Sequence, residues 1–205
     1  MKKAIITTIS LLVLICSQAI AQNIYQDSLG TTPFSSAQFY LGLGVYVPAP
    51  IGGVFAVTAF SQKGWGGSCT IKIQSPNAKN LPADFSPGLI ILGDGIPDEY
   101  IKTVTLRALK EVPTDAASIR FGFEVGPAFE SKRTLENFRK KTEWLSANYS
   151  YDQVTHKSLG LSIKGKMEFP ISKYFGFEFG LTSNLYAQRS YFGFDLLLTL
   201  GQLRD

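Results

Sequence analysis

Two segments near the carboxyl end alternate in polarity: Tyr174-Phe-Gly-Phe-Glu-Phe-Gly-Leu181 and Tyr191-Phe-Gly-Phe-Asp-Leu-Leu-Leu-Thr-Leu-Gly201. In the first, the three phenylalanines share one face, while the glycines and Glu178 share the other. Because side chains of a β-strand point alternately to two faces, each segment predicts a strand with an apolar face and a small or ionisable face. Leu197 alone breaks the alternation in the second segment. The pattern is typical of a transmembrane β-barrel, which is apolar toward lipid and polar toward its lumen.

The same alternation predicts six earlier strands, which gives an even total of eight, as in single-chain bacterial outer-membrane barrels. The six expected ranges are Gln38–Val47, Gly52–Phe60, Trp65–Ser75, Ile101–Val112, Ala117–Phe129 and His156–Phe169. Leu109 is a second exception to the alternation. We therefore expect an all-β fold over residues 38–205, an eight-stranded antiparallel transmembrane β-barrel of up-and-down topology.

The connections sort by length onto two ends of this barrel. If the chain enters from the periplasm, the second, fourth and sixth connections are periplasmic and should be short. They are Ser61–Gly64, Pro113–Ala116 and Pro170–Lys173, each about four residues of largely turn-type composition. The two long connections, residues 76–100 and 130–155, then lie on the outer side, and the second has room for a short helix.

The first 21 residues predict a cleaved secretory signal. Lys2 and Lys3 precede an apolar run from Ala4 to Ile15, and Ala19-Ile-Ala21 is a small-residue cleavage site. The apolar run is shorter than the roughly 20 residues of a membrane helix, and Cys16 leaves a lipoprotein signal as the weaker alternative. Residues 22–37 lack periodicity and predict a flexible periplasmic leader. We expect export to the outer membrane.

Composition excludes other classes of protein. The chain has 20 Lys and Arg against 16 Asp and Glu. Removal of Lys2 and Lys3 with the signal leaves 20 minus 2, or 18, basic residues, so charge gives no case for nucleic acid. Cys69 would be the remaining cysteine, so no intrachain disulfide is expected.

Ten charged residues fall on the face that carries the glycines, and we expect them to pair inside the barrel because an unpaired buried charge is costly. They are Lys72, Arg107, Glu111, Arg120, Glu124, Lys164, Lys166, Glu168, Glu178 and Asp195. An eight-stranded barrel is just wide enough for side chains to fill it. The predicted lumen is therefore filled, with an open pore or a proton path as the alternative.

The second long connection carries a basic patch, which we expect to meet phosphates of outer-leaflet lipid, such as lipopolysaccharide, or an acidic surface partner. The patch consists of Lys132, Arg133, Arg139, Lys140 and Lys141. A solvated charged loop is the plainer interpretation of the same residues.

Two further groups of residues have side chains suited to a metal site or a catalytic site, but each lacks the spacing or the partners that such a site needs. Asp94, Asp98 and Glu99 are oxygen ligands whose spacing does not fit a twelve-residue calcium loop, so no metal and no cofactor are predicted. His156 has Ser158 two residues away, but a catalytic base needs a nucleophile and an orienting partner in reach, which one sequence does not show. No catalytic residue is predicted.

A soluble barrel of the lipocalin kind is the main structural alternative, with its apolar face inward and its polar face in water. Aromatic residues near the strand ends favour the membrane barrel, because such barrels have aromatic girdles at both interfaces. The expected girdle residues are Trp65, Tyr100, Phe129, Phe169, Tyr174, Tyr186 and Tyr191.

Four segments carry a resemblance to a known family: Lys63-Gly-Trp-Gly-Gly-Ser68, Arg120-Phe-Gly-Phe-Glu-Val-Gly-Pro127, Lys164-Gly-Lys-Met-Glu-Phe-Pro170 and Leu198-Thr-Leu-Gly201. From about residue 37 onward the chain resembles the small outer-membrane β-barrel proteins of the Bacteroidetes type, and it is similar to the eight-stranded OmpA and OmpX barrels. The resemblance brings no catalytic motif. Many such barrels end on an aromatic residue, whereas this chain ends Gln202-Leu-Arg-Asp205.

These observations predict a monomeric outer-membrane barrel with a structural or surface-interaction role and no enzymatic activity. A narrow channel, or a barrel that binds or transports an apolar ligand, is the first alternative. A lipid-modifying barrel enzyme that uses His156 is the second.

Overall fold

The computed structural model describes residues 34, 36–47, 51–87, 96–114, 119–141, 147–187 and 189–203. Within them, eight strands form one closed sheet in which sequence neighbours pair antiparallel and the last strand pairs with the first. The predicted all-β, eight-stranded, up-and-down barrel is confirmed. The predicted signal and residues 22–33 of the predicted leader lie outside the described residues. No helix among the described residues is long and apolar enough to cross a membrane.

The strands run in chain order around the barrel. They are β1 (Gln38–Val47), β2 (Gly52–Phe60), β3 (Trp65–Gln74), β4 (Tyr100–Pro113), β5 (Arg120–Lys140), β6 (Tyr149–Pro170), β7 (Phe175–Tyr186) and β8 (Ser190–Gln202). β1 and β2 have the predicted bounds, and β3 and β4 differ from prediction by one residue at their ends. β5 and β6 are much longer than predicted.

The alternation places apolar side chains outward on every strand. Exposed residues of this outer band include Phe39, Leu43, Phe55, Ile73, Leu106, Phe129, Leu159, Phe177, Phe179, Phe194 and Leu196. The glycine-bearing face points into the barrel, where the charged side chains are buried. These directions are the reverse of those in a soluble lipocalin-like barrel, so the structure excludes that alternative.

The two exceptions to the alternation have a structural cause. Leu197 and Leu109 face the lumen and are fully buried. Leu197 packs with Tyr46, Val54 and Ala56 against the wall formed by β1 and β2. Leu109 belongs to a second apolar cluster at the end that carries the short turns, which is the periplasmic end in the predicted orientation. The lumen is therefore apolar along one wall and at one end, and both exceptions fill those places.

The connection predicted over residues 130–155, with room for a short helix, is largely strand. β5 continues to Lys140 and β6 begins at Tyr149, and the two pair along almost their whole length. Pairing of β4 with β5 ends at Tyr100–Arg133, so the last seven residues of β5 rise above the barrel wall by about 20 Å, at about 3.3 Å per residue. Polar residues occupy both faces of this extension, so no apolar alternation marks it in the sequence.

The predicted aromatic girdle is correct only in part. Trp65 and Tyr174 are exposed at the periplasmic end, with 59% and 63% of their surface accessible, and Phe129 faces outward near the other end. Tyr186 is buried, and its ring contacts that of Tyr191 at 6.1 Å, on the inner side of the outer mouth. The periplasmic girdle residues therefore fit the prediction, while these two tyrosines belong to the lumen.

Glycine makes room for the long lysine side chains. A Cβ at position 122 would lie 2.5 Å from Lys166 Cε and 2.8 Å from Glu111 Oε1, and one at position 180 would lie 2.4 Å from Lys164 Cε. Substitution of Gly122 would force the Lys166 stem away from its partners. At Gly53, on the outer surface of β2, an added Cβ meets nothing within 4 Å.

We expect Gly122→Ala to lower the free energy of unfolding by about 1–3 kcal/mol, as overpacking does. The matched control Gly53→Ala should change it by less than about 0.5 kcal/mol. Urea unfolding of the protein in lipid vesicles, followed by the mobility difference between unboiled and boiled gel samples, measures both. Equal stability of the two variants would contradict the tight lumen.

Candidate functional site

The charged lumen is the largest polar cluster in the described structure. All ten residues predicted for it are buried, with between 0% and 5% of their surface accessible. Five are basic and five are acidic, so the cluster is formally neutral. Each of the ten has an oppositely charged group within 4 Å.

Lys166 is the centre of this network. Its Nζ lies 2.6 Å from Glu111, 2.8 Å from Glu168 and 3.3 Å from Glu124. It also donates a hydrogen bond to the Tyr40 hydroxyl at 2.7 Å. These partners come from β1, β4, β5 and β6, so one ammonium group joins half of the strands.

A second set of contacts crosses the lumen. Lys72 on β3 reaches Asp195 on β8 at 2.8 Å, and Lys164 lies 3.3 Å from the same carboxylate. Arg107 meets Glu124 at 2.8 Å and donates to Thr70 at 2.6 Å. Because buried side chains from neighbouring and from non-neighbouring strands meet, the interior at this level is occupied by protein atoms.

An apolar plug closes the periplasmic end. Phe34, Tyr40, Phe60, Leu109 and Leu203 form one buried cluster, in which the Phe34 and Phe60 rings lie 5.0 Å apart. The Phe34 amide donates to the Gln62 carbonyl at 3.2 Å. Phe34 belongs to the segment predicted as a flexible leader, so the end of that segment is in fact part of the barrel.

A second charge layer, which the sequence analysis missed, lies at the outer mouth. Glu130 is 4% accessible and pairs with Arg189, and Glu99 meets Lys132 at 2.8 Å. Glu130 and Glu124 lie on the same lumen-facing side of β5, so the alternation in the sequence also marks Glu130 as inward. It was missed because the predicted strand ended at Phe129.

The five residues of the predicted basic patch lie on β5 or just after it, and they do not all share one face. Lys132 faces the mouth and pairs with Glu99, whereas Arg133 lies on the opposite face over the Tyr100 ring at 6.0 Å. Arg139 pairs with Asp152 at 2.9 Å, and Lys140 pairs with Asp84 at 2.7 Å. Lys141 is exposed directly after the strand.

The segment between β3 and β4 is clamped onto the tip of the β5–β6 hairpin. Asp84 accepts hydrogen bonds from Lys140 and from the Tyr149 hydroxyl, both at 2.7 Å. The Asn148 amide donates to the Ser86 carbonyl at 3.1 Å, and the Ser86 amide donates to Asn148 Oδ1 at 2.7 Å. Hydrogen bonds from Lys140 and Tyr149 hold the pKa of Asp84 below its ordinary value. The two long outer segments therefore form one unit.

A bulge bends this hairpin near its tip. The β5–β6 register shifts between Glu136 and Arg139, and Asn137 there adopts a φ of 54°. Asparagine tolerates this left-handed conformation better than most residues. Its side chain donates to Asp152 at 3.1 Å, which adds a second contact to the Arg139 ion pair.

His156 lies on the exposed hairpin, opposite Lys132 in the register. Its Nε2 is 2.8 Å from Glu136 Oε1, and this hydrogen bond lowers the pKa of the Glu136 carboxyl. The pair supplies an orienting carboxylate for a base but sits in water above the barrel.

Of the predicted acidic trio, Asp94 lies outside the described residues, Asp98 is exposed and Glu99 pairs with Lys132. Elsewhere in the described part, no three His, Cys, Asp or Glu side chains are arranged to hold a metal ion.

The closed barrel with inward charges and outward apolar residues has the architecture of eight-stranded transmembrane β-barrels. No family model matches the chain, and no curated protein sequence matches it. Among solved structures, it is similar to the N-terminal β-barrel domain of Pseudomonas aeruginosa OprF, with a TM-score of 0.52 and 8% identity over 82% of this chain and 98% of that one. It is also similar to Ail, the attachment invasion locus protein of Yersinia pestis, with a TM-score of 0.50 and 7% identity over 83% and 99%. At such identities the likeness shows the fold alone.

Removal of the Lys166 charge tests the lumen network. We expect Lys166→Met to lower the free energy of unfolding by about 3–5 kcal/mol, because it leaves several buried carboxylates without their cation. Lys166→Met combined with Glu111→Gln should recover part of this loss. Lys173→Met, at an exposed periplasmic turn, is the control and should change stability by less than about 0.5 kcal/mol. Urea unfolding in vesicles measures all three, and equal effects of the two single variants would contradict the network.

The clamp on the hairpin predicts a pH dependence. Since the pKa of Asp84 is lowered in the folded protein, its contribution is present above the ordinary carboxyl pKa and is lost as the pH falls below about 4. Asp84→Asn should loosen the clamp even at neutral pH. Hydrogen exchange at the amides of Ser86 and Asn148 measures this, with Asp98→Asn in the same segment as control. Unchanged protection in Asp84→Asn would show that the carboxylate does not hold the clamp.

Proposed function

We propose that this protein is a closed, non-enzymatic outer-membrane barrel that anchors a projecting hairpin at the cell surface for interaction with other molecules. The observation that carries the proposal is the filled lumen. A neutral network of ten charged side chains lies between an apolar plug around Phe34 and ion pairs at the outer mouth. No continuous water path is expected through such an interior.

The outer surface supports the membrane location. A band of large apolar side chains surrounds the barrel, among them Phe39, Leu106, Phe179 and Leu196, each at least 41% accessible. Soluble monomers rarely expose contiguous apolar patches of this extent, whereas lipid covers such a band at no cost. Export by a signal in residues 1–21 and the Bacteroidetes-type affiliation remain predictions from the sequence.

The hairpin supports the surface role. It rises above the wall, it is stiffened by the clamp from the segment between β3 and β4, and it carries an aromatic cluster. Phe85 stacks on Tyr149 at 6.5 Å, and Phe138 contacts Tyr149 and Tyr151 at 6.4 and 5.8 Å. A rigid element that carries aromatic and charged groups is suited to contact a partner outside the membrane.

Conductance separates this function from the channel alternative. In planar bilayers we expect the purified protein to produce no stable conductance steps, because buried side chains in contact with one another occupy the lumen. The heat-dependent gel mobility of the same preparation shows that the protein used is folded. Stable, ion-selective steps from folded protein would support the channel and overturn the proposal.

Protease accessibility tests the orientation of the barrel. Trypsin added to intact cells should cleave the hairpin tip, where Lys141 is exposed, and leave the barrel protected. Lys140→Gln with Lys141→Gln should reduce that cleavage and serves as the matched control. Cleavage at this site only after the cells are broken would place the hairpin in the periplasm and overturn the surface role.

A further inference from the structure

Two lysines and a serine form a row on the lipid-facing side of the barrel near its outer rim. In the strand register, Lys102 on β4 lies opposite Ser131 on β5, which lies opposite Lys157 on β6. Residues directly opposite each other in a sheet share a face. Both lysines are exposed, so two ammonium groups flank one hydroxyl on the outer surface.

An apolar row lies directly beneath, on the membrane side. This row consists of Val104, Phe129 and Leu159, each two residues from the polar row on β4, β5 and β6. Phe129 and Leu159 are 47% and 66% accessible. The two rows together line a groove of about 500 Å³. The groove is cationic at its upper edge and apolar at its floor.

A third cation lies two residues beyond Ser131 on β5, on the side away from the apolar row. Arg133 shares this outward face, opposite Tyr100, whose ring its guanidinium overlies at 6.0 Å. Lys102, Arg133 and Lys157 form no ion pair with any acidic side chain in the described part of the chain. This differs from their neighbours Lys132 and Arg189, which point inward and are paired.

The height of the row on the barrel matches a lipid phosphate. Along β4, Lys102 and Lys110 are the outward cations that flank Val104, Leu106 and Ala108, and Lys110 pairs in register with Trp65 at the periplasmic end. Eight residues at about 3.4 Å each, tilted by about 40°, span about 20 Å, close to the apolar band of about 25 Å in such barrels. The upper row therefore lies where the acyl chains end and the headgroups begin.

We propose that this groove binds the phosphate group of an acylated lipid of the outer leaflet. Lys102, Lys157 and Arg133 would meet the phosphate oxygens, the Ser131 hydroxyl would donate to one of them, and an acyl chain would lie on Phe129 and Leu159. The inference rests on the proposed membrane location. It gives the surface role a defined lipid ligand and a site separate from the hairpin tip.

Native mass spectrometry of the detergent-purified protein, titrated with dioleoylphosphatidic acid, tests the site. We expect Lys102→Gln with Lys157→Gln to raise the apparent Kd by more than about tenfold, since each lysine at an anionic lipid surface adds substantially to binding. Lys79→Gln with Lys141→Gln removes the same charge from the outer segments above the membrane and should leave the Kd unchanged. Ser131→Ala should give a smaller increase than the double lysine variant.

Two further ligands separate phosphate from acyl chain. Dioleoylglycerol, which lacks phosphate, and inorganic phosphate, which lacks acyl chains, should each bind more weakly than phosphatidic acid. Equal loss of binding in the two double variants would show bulk charge attraction alone, and inorganic phosphate that binds as well as the lipid would show a simple anion site; either result overturns the proposal. Folded protein that retains no phosphatidic acid would overturn it as well. Protein without heat-dependent mobility in vesicles would instead overturn the membrane barrel and this site with it.

Discussion

Charge balance within a closed wall is the constraint on which the rest of the barrel depends. Burial of an isolated charge is costly, so five cations in the lumen require five anions within reach. Lys166 meets carboxylates from several strands, which fixes how those strands lie beside one another. A slip of one residue in any pairing would turn a strand's charges toward lipid and its phenylalanines toward the lumen. The network therefore stabilises one register against all others.

Small residues and apolar residues complete the packing of the lumen around the ion pairs. Glycine at positions 122 and 180 leaves the space in which the lysine stems lie, because even one methyl group there would collide with them. Along the wall formed by β1 and β2, Leu197 packs with Val54 and Ala56. The interior is filled by two kinds of packing, and the filled interior is the basis for the proposal that the barrel anchors a hairpin and does not conduct.

The hairpin above the apolar band differs from the barrel within the band in its polarity pattern and in the contacts that hold its strands. In the band, lipid on one side and charge on the other force strict alternation, whereas the hairpin above Arg133 carries polar residues on both faces. There the strands are held by cross-strand pairs such as Arg139–Asp152 and by the clamp at Asp84. The proposed lipid groove lies at the boundary of the two regions, where exposed lysines meet exposed phenylalanine and leucine.

The sequence by itself determined the number of strands, the residues that share a face within the apolar band and the ten charges of the lumen, because lipid and lumen impose a period of two that is visible in the chain. Only the tertiary structure decided which charges meet, since Lys72 and Asp195 lie on β3 and β8, which do not pair with each other and are far apart in sequence. It also decided that Phe34 closes the periplasmic end and that Tyr186 faces inward. The extension of β5 and β6 could not be predicted, because a hairpin with polar residues on both faces has no apolar period. Alternation in the sequence shows which side chains share a face of the sheet, whereas the partner that each side chain contacts depends on how the eight strands close into a barrel.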